Sequence, residues 1–174
     1  QDAIAHNNLG NTLKELGRLD EAEASYKKAT ALKPDYAQAY YNFGNMLKEQ
    51  GRLKEAETNF KKAIVFKPDF TLTYYNFGNI LKEQGRLKEA EKNFKKAITL
   101  KPDFAEAYIN LGNTQKELRK LDEAEASYKK VITLKPDIAK VHNNLAVISQ
   151  ELGRLDEAEV SYKKATALKS DYAE

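Results

Sequence analysis

This sequence predicts an all-α solenoid of stacked helical hairpins, and three observations point to it. Pro34, Pro68, Pro102 and Pro136 stand 34 residues apart, with Ser170 where a fifth would fall. Residues 37–70 and 71–104 differ at only 7 of 34 aligned positions, so the period belongs to the whole sequence and not to the prolines alone. Within each period, apolar residues recur at helical spacing in two separate runs. A single hairpin cannot bury both apolar stripes, so each unit leans on the next.

Counting positions from residues 3, 37, 71, 105 and 139 gives units 3–36, 37–70, 71–104, 105–138 and 139–172, read together as one array over residues 1–174. The first helix of each unit spans roughly positions 1–14. Gly17, Gly51, Gly85 and Gly153 stop it, because glycine takes the left-handed conformation beyond a helix end without a Cβ clash. Arg119 stands there in the fourth unit, at an expected cost of ~1–2 kcal/mol if the conformation is kept.

The second helix covers about positions 18–31. Glu21, Glu55, Glu89, Glu123 and Glu157 open it, and lysine pairs such as Lys61/Lys62 lie in its last half; this polarity suits the helix dipole. Glu23, Glu57, Glu91, Glu125 and Glu159 stand four residues before a lysine, which adds ~0.2–0.5 kcal/mol per pair. Proline then ends the helix. Asp35, Asp69, Asp103 and Asp137 are placed to cap the next one, and Asp35/Gln38 and Asp103/Glu106 have capping-box spacing.

In the third unit Tyr74, Phe77, Gly78 and Leu81 form one buried stripe, and Leu87, Ala90, Phe94, Ala97 and Ile98 another. Small residues at positions 8, 20 and 27 bring the two helices close. Gln115 and Ser149 replace an apolar residue, and Ala146 replaces glycine; units four and five are therefore expected to pack less tightly. The final SDYAE matches the start of other units and reads as a sixth unit cut short at 173–174. The face of Tyr162, Ala165 and Leu168 would then lack a cover, and self-association through this uncapped C-terminal end is expected.

Composition narrows the chemistry. Net charge is +3, from 29 basic and 26 acidic residues; this near balance argues against a nucleic-acid surface. Without cysteine there is no disulfide, thiolate metal site or thiol nucleophile, which is compatible with a reducing, cytoplasmic setting. No apolar run approaches the ~18 residues of a membrane span, so no membrane partner is expected. His6 and His142 fall at the buried aromatic position, where packing is their expected role. Glutamate-rich turns recur in every unit, whereas an active site should be unique. No catalytic residue, metal site or cofactor is assigned, and the chain reads as no enzyme.

The first helices also carry a polar stripe. Asn8, Asn42, Asn76, Asn110 and Asn144 hold position 6, and Asn11, Asn45, Asn79 and Asn113 hold position 9. Asparagine is a poor helix former, so its repetition needs a tertiary reason. One such reason is the carboxamide's paired donor and acceptor, which an extended peptide backbone can use; another is a tie between adjacent helices. Tyr41 and Tyr75 at position 5 are candidate anchors for ligand side chains. Lys48, Lys82 and Lys116 at position 12 are candidates to attract an acidic peptide, although Glu49, Glu83 and Glu117 follow them.

The pattern Tyr74–Phe77–Gly78–Leu81, Ala90–Phe94 and Pro102, met also by Tyr40–Phe43–Gly44–Leu47, Ala56–Phe60 and Pro68, resembles the tetratricopeptide repeat family across nearly the whole chain. The resemblance implies a right-handed superhelical solenoid whose first helices line a concave groove. It also implies that the position 6 asparagines hold a peptide by its main chain. A clamp for a C-terminal carboxylate, which in the family takes lysine at position 5 and basic residues at positions 2 and 6, is not met, since Lys140 alone is basic at any of these. The expected function is a non-catalytic scaffold for a protein or peptide partner. Alternatives are the substrate-recruiting region of a larger enzyme, such as a glycosyltransferase that attaches N-acetylglucosamine to Ser/Thr, or a self-assembling superhelix.

Overall fold

The computed structural model describes residues 2–170 and contains ten α-helices. They are α1 (Ala3–Glu15), α2 (Leu19–Leu32), α3 (Ala37–Glu49), α4 (Leu53–Phe66), α5 (Thr71–Glu83), α6 (Leu87–Leu100), α7 (Ala105–Glu117), α8 (Leu121–Leu134), α9 (Ala139–Glu151) and α10 (Leu155–Ser170). Odd-numbered helices begin where the 34-residue register places position 1, and even-numbered ones begin one residue ahead of expectation. Among the described residues there is no strand.

The turn inside each hairpin is a Schellman motif. Beyond α1, the Gly17 amide donates to the Lys14 carbonyl at 3.0 Å and the Arg18 amide to that of Leu13 at 2.9 Å. Gly153 closes α9 the same way with φ at +75°. Arg119 keeps the motif without glycine, at φ +60° and with both bonds at 2.9 Å. The unit therefore accepts the left-handed strain instead of changing its turn.

Of the aspartates after the prolines, Asp35, Asp103 and Asp137 do not cap. Helices α3, α7 and α9 take Tyr36, Phe104 and Ile138 as N-cap residues, none with a side-chain bond. Asp35, Asp103 and Asp137 stand one residue too early, and it is the main-chain carbonyls of Asp35 and Asp103 that accept, from Ala37 and Ala105. Glu106 pairs with Lys135 at 2.6 Å and closes no capping box. Asp2, immediately before α1, does cap, its carboxylate accepting from the Ile4 amide at 2.8 Å.

The chain divides into two compact units, one reaching to Ile80 and the other beginning at Leu81. In the first, α2 packs on α1 and α4 on α3, while α3 is shared with both α1 and α2. In the second, α8 packs on α7 and α10 on α9, with α6 against α7 and α8 against α9. The hairpins close through a socket. A Cβ added at Gly10 would stand 2.7 Å from Cε1 of Tyr26; Gly44 and Gly112 face the rings of Phe60 and Tyr128 at 2.8 Å in the same way. All three rings are fully buried. Rings also join hairpins in the first unit, where Tyr26 of α2 stacks on Phe43 of α3, while Tyr40 stacks on Phe66 within the α3/α4 hairpin.

Looser packing in the fourth unit is not what forms. Gln115 replaces leucine, yet it is buried and accepts from Ser127 Oγ at 2.7 Å while donating to Glu123 at 3.1 Å. His142 is likewise buried, its Nε2 2.7 Å from the Pro136 carbonyl, as the Tyr74 hydroxyl is 3.1 Å from that of Pro68. A carbonyl only accepts, so Nε2 carries the proton. The expected uncovered face is also redrawn: Ala165 and Leu168 are buried, and the open side of α10 instead shows Leu155, Glu159, Val160 and Lys163. The start of a sixth unit at 173–174 lies outside the described residues.

Even-numbered helices are laced by charge. Glu23 of α2 accepts from Lys27 one turn on and from Arg52, which begins the next unit's second helix. Glu91 meets Lys95 and Lys120, and Glu125 meets Lys129 and Arg154, in the same register. The bonds from Arg52 and then Lys27 hold the Glu23 carboxyl down at about 2 against the opposing pull of burial. Glu125 is lowered by Lys129 first and Arg154 second, again against burial.

Candidate functional site

Residues three and four apart on a helix share a face, so positions 5, 6, 9 and 12 place the carboxamides, Tyr41, Tyr75 and the lysines along one side of the odd-numbered helices. Asn42, Asn76, Asn110 and Asn144 are half-buried there, as are Asn11, Asn45, Asn79 and Asn113; Asn8 is exposed. Half-burial lets one edge of an amide bond to protein while the other meets solvent.

In the second unit the node is Asn113. Its Oδ1 accepts from the Tyr128 hydroxyl of its own hairpin at 2.7 Å and from Asn144 Nδ2 of the next at 3.2 Å. In the first, Asn76 Nδ2 donates to Asn45 Oδ1 at 2.8 Å and to the Tyr41 hydroxyl at 3.1 Å. Asn42 Nδ2 donates to Asn7 at 2.9 Å while its Oδ1 accepts from Gln38 at 3.0 Å. Asn11 accepts from the Tyr26 hydroxyl at 2.8 Å. Position 6 thus reaches back to position 9 or 5 of the preceding repeat, and position 9 anchors a tyrosine. Asn79, Asn110 and Tyr75 are engaged as well. The Oδ1 atoms of Asn76 and Asn144 accept nothing among the described residues.

Tyr41 is packed, its ring centroid 4.7 Å from that of Phe70 and 6.1 Å from that of Phe60. Lys82 is ion-paired to Glu117 of the next repeat at 2.9 Å, as Lys14 is to Glu49 at 2.7 Å. Lys48 is half-buried with no ion pair among the described residues. Asn7, Gln38, Tyr26 and Tyr128 join this network although the pattern of repeated asparagines does not single them out. The available signal is at position 24: where it is tyrosine, in Tyr26 and Tyr128, the position 9 asparagine of the same hairpin receives its hydroxyl. Burial pushes both phenols up to about 12.

Among the described residues no group of three or more His, Asp and Glu side chains is placed to hold a metal ion, and no helix is long and apolar enough to cross a membrane.

Family profiles and solved structures agree with the helical-repeat fold. Profiles described as tetratricopeptide repeat match residues 1–65, 105–138 and 139–172, and one described as TPR repeat matches 78–119. No curated protein sequence matches the chain. Among solved structures it is similar to YrrB, described as a TPR protein with an unusual peptide-binding site, at 28% identity over 99% of this chain and 89% of that one, with a TM-score of 0.87. It is also similar to MamA, at 25% identity over 94% and 96%, with a TM-score of 0.90. A MamA segment from Desulfovibrio magneticus RS-1, at 21% identity over 97% and 96% and a TM-score of 0.88, shares the fold. With helical hairpins in a 34-residue register and four profiles distributed along its length, this all-α helical-repeat solenoid belongs to the tetratricopeptide repeat family.

Proposed function

We propose that the chain is a non-catalytic interaction scaffold whose odd-numbered helices hold an extended peptide by its main chain. Repeat family and solved relatives support a protein-interaction scaffold, and the peptide-binding site ascribed to YrrB supports a peptide as the guest. The observation that carries the finer reading is the half-engaged carboxamide. Asn76 and Asn144 spend Nδ2 on the preceding repeat and keep Oδ1 uncommitted at a half-exposed surface. A backbone N–H is the donor such an oxygen lacks. Each bond adds ~0.5–1.5 kcal/mol net, so several together, after ordering costs, give a Kd on the order of micromolar to hundreds of micromolar.

The test is a pool of unstructured decapeptides read by fluorescence anisotropy, each compared with a copy N-methylated at alternate amides. Methylation removes the backbone donors and leaves the side chains, so binding is expected to vanish. Equal binding by methylated and unmethylated peptides contradicts a main-chain grip.

One observation favours a second role, self-association through α10. Glu159 is 64% exposed, whereas Glu23, Glu91 and Glu125 in the same register are 8–16% exposed because a cation from the next unit covers them. Beside it lies a cleft of about 420 Å³ lined by Gln150, Leu155, Ala158 and Tyr162. A second copy offering Arg18 would complete the motif. Sedimentation of the wild type and of Glu159→Lys at rising concentration checks it: loss of oligomer in the variant supports this role, and a wild type that stays monomeric removes it.

A further inference from the structure

We infer that Lys116, and not the ion-paired Lys82, is the position 12 lysine of the second unit that receives an acidic side chain of the bound peptide; this rests on the main-chain reading just given. Position 12 is lysine in the first four repeats, and within the second unit its neighbours differ in one respect. Lys82 is neutralised by Glu117, the residue 35 further on, at 2.9 Å. The counterpart for Lys116 is Glu151. That carboxylate is taken instead by Arg119 Nη1 at 2.9 Å. Arg119 is the residue that stands in the left-handed turn where the other repeats have glycine.

The substitution that strains the turn therefore removes the internal partner of Lys116. Lys116 is half-buried and has no ion pair among the described residues. It lies one turn from Asn113 on the same helix face, and Asn113 is bonded to Asn144. A cation whose stem is packed and whose head is unpaired, set beside a carboxamide pair, is a receptor for a carboxylate. A glutamate or aspartate on an extended chain running over α7 and α9 meets both chemistries at once: its backbone N–H faces Asn144 Oδ1 and its side chain faces Lys116 Nζ.

The arrangement makes an unusual demand on the turn. Arg119→Gly should relieve the left-handed strain, yet weaken binding of acidic peptides, because Glu151 becomes free to close on Lys116. Glu151→Gln added to Arg119→Gly should restore the affinity.

The experiment uses the whole chain and decapeptides captured from a random pool, each paired with a copy in which one Glu is replaced by Gln. For the wild type, at least one Glu position is expected to be favoured about tenfold, the loss expected for one charge-assisted bond. That preference should vanish in Lys116→Met and Arg119→Gly, return in the Arg119→Gly/Glu151→Gln double variant, and persist in Lys82→Met. Circular dichroism of each variant checks that the fold is kept, and rescue by the double variant stands apart from any fault in folding. Capture without a Glu preference, or with one unchanged in Lys116→Met, overturns the inference and leaves the main-chain grip standing. No capture of any peptide overturns both.

Discussion

The hairpins α7/α8 and α9/α10 carry a tyrosine at the same register and treat it differently. Tyr128 is fully buried against Gly112, with its hydroxyl on Asn113. Tyr162 is half-exposed, and its hydroxyl reaches Gln150 at 3.1 Å, one helical turn further along α9. The two residues that form the socket have both changed: Ala146 stands for Gly112, and Val147 for Asn113. Position 8 carries a methyl where Gly112 leaves room for the ring, and a valine at position 9 offers no acceptor. The ring's seat therefore depends on a missing Cβ on the facing helix, as Phe60 against Gly44 shows with no hydroxyl to bond, and a carboxamide adds an acceptor where the ring is tyrosine.

Breaking the good socket should have the largest effect. Gly112→Ala places a Cβ 2.8 Å from the Tyr128 ring. Overpacking of this kind costs ~1–3 kcal/mol, less about 1 kcal/mol gained in helix propensity. A net loss of up to about 2 kcal/mol is expected in urea unfolding, together with partial expulsion of the ring. Repairing the poor socket is the converse. Ala146→Gly with Val147→Asn should seat Tyr162, seen as contacts between its ring protons and the residue 146 amide. Burial of a large side chain, at ~1.5–3 kcal/mol, exceeds the helix penalty of ~1 kcal/mol for glycine, so a small net gain is expected.

The next effect is read in alkali. Burial raises the Tyr26 and Tyr128 phenols to about 12 in the folded chain, from an ordinary value of 10.0. A raised folded value means that the neutral form is favoured by folding. The associated stability is complete below pH 10 and is lost as pH climbs from 10 towards 12. Tyr128→Phe should reduce that loss; unfolding free energy measured from pH 8 to 12 decides.

The smallest contrast is electrostatic. Glu125 is covered, ion-paired with Lys129 and hydrogen-bonded by Arg154, and its carboxyl lies below the usual 4.5. Glu159 has Lys163 alone and stands in water. Stability supplied by a depressed carboxyl is present above the unfolded value and fades as pH falls through the folded one. Glu125→Gln should therefore flatten the acid limb of the stability curve, while Glu159→Gln, an exposed pair, should hardly change it.

Much of the fold is legible in the sequence, because its period, its turn glycines and its apolar stripes are local or strictly repeated. Arg119 shows the reliability of the turn, which keeps its geometry against the residue's own preference. The cap aspartates show the limit: capping chemistry depends on which residue leaves helical geometry first, and that is Tyr36, Phe104 or Ile138, not the aspartate before each. Packing of the fourth unit is illegible for a related reason. Gln115 looks like a defect until Ser127, twelve residues away, is seen to satisfy it.

Of the candidate site, sequence alone reveals the asparagines and their face. It leaves open how each carboxamide divides its bonds, because that depends on partners one repeat distant. Asn76 finds Asn45 and Tyr41, and Asn144 finds Asn113. The arginines at position 16 were also missed as seam residues, although Arg52 and Arg154 each bind the previous repeat's glutamate. Since Asn42 and Asn76 tie repeats together, replacing them with alanine disturbs packing as well as any guest.

Carboxamide resonances avoid that confusion. In a 15N-labelled chain, adding an extended peptide from the captured pool should shift the side-chain NH₂ signals of Asn76 and Asn144 and leave Asn59 and Asn93, on the even-numbered helices, unmoved. Shifts confined to the even-numbered helices, with the Asn76 and Asn144 signals silent at saturating peptide, would contradict the grip proposed for the odd-numbered face.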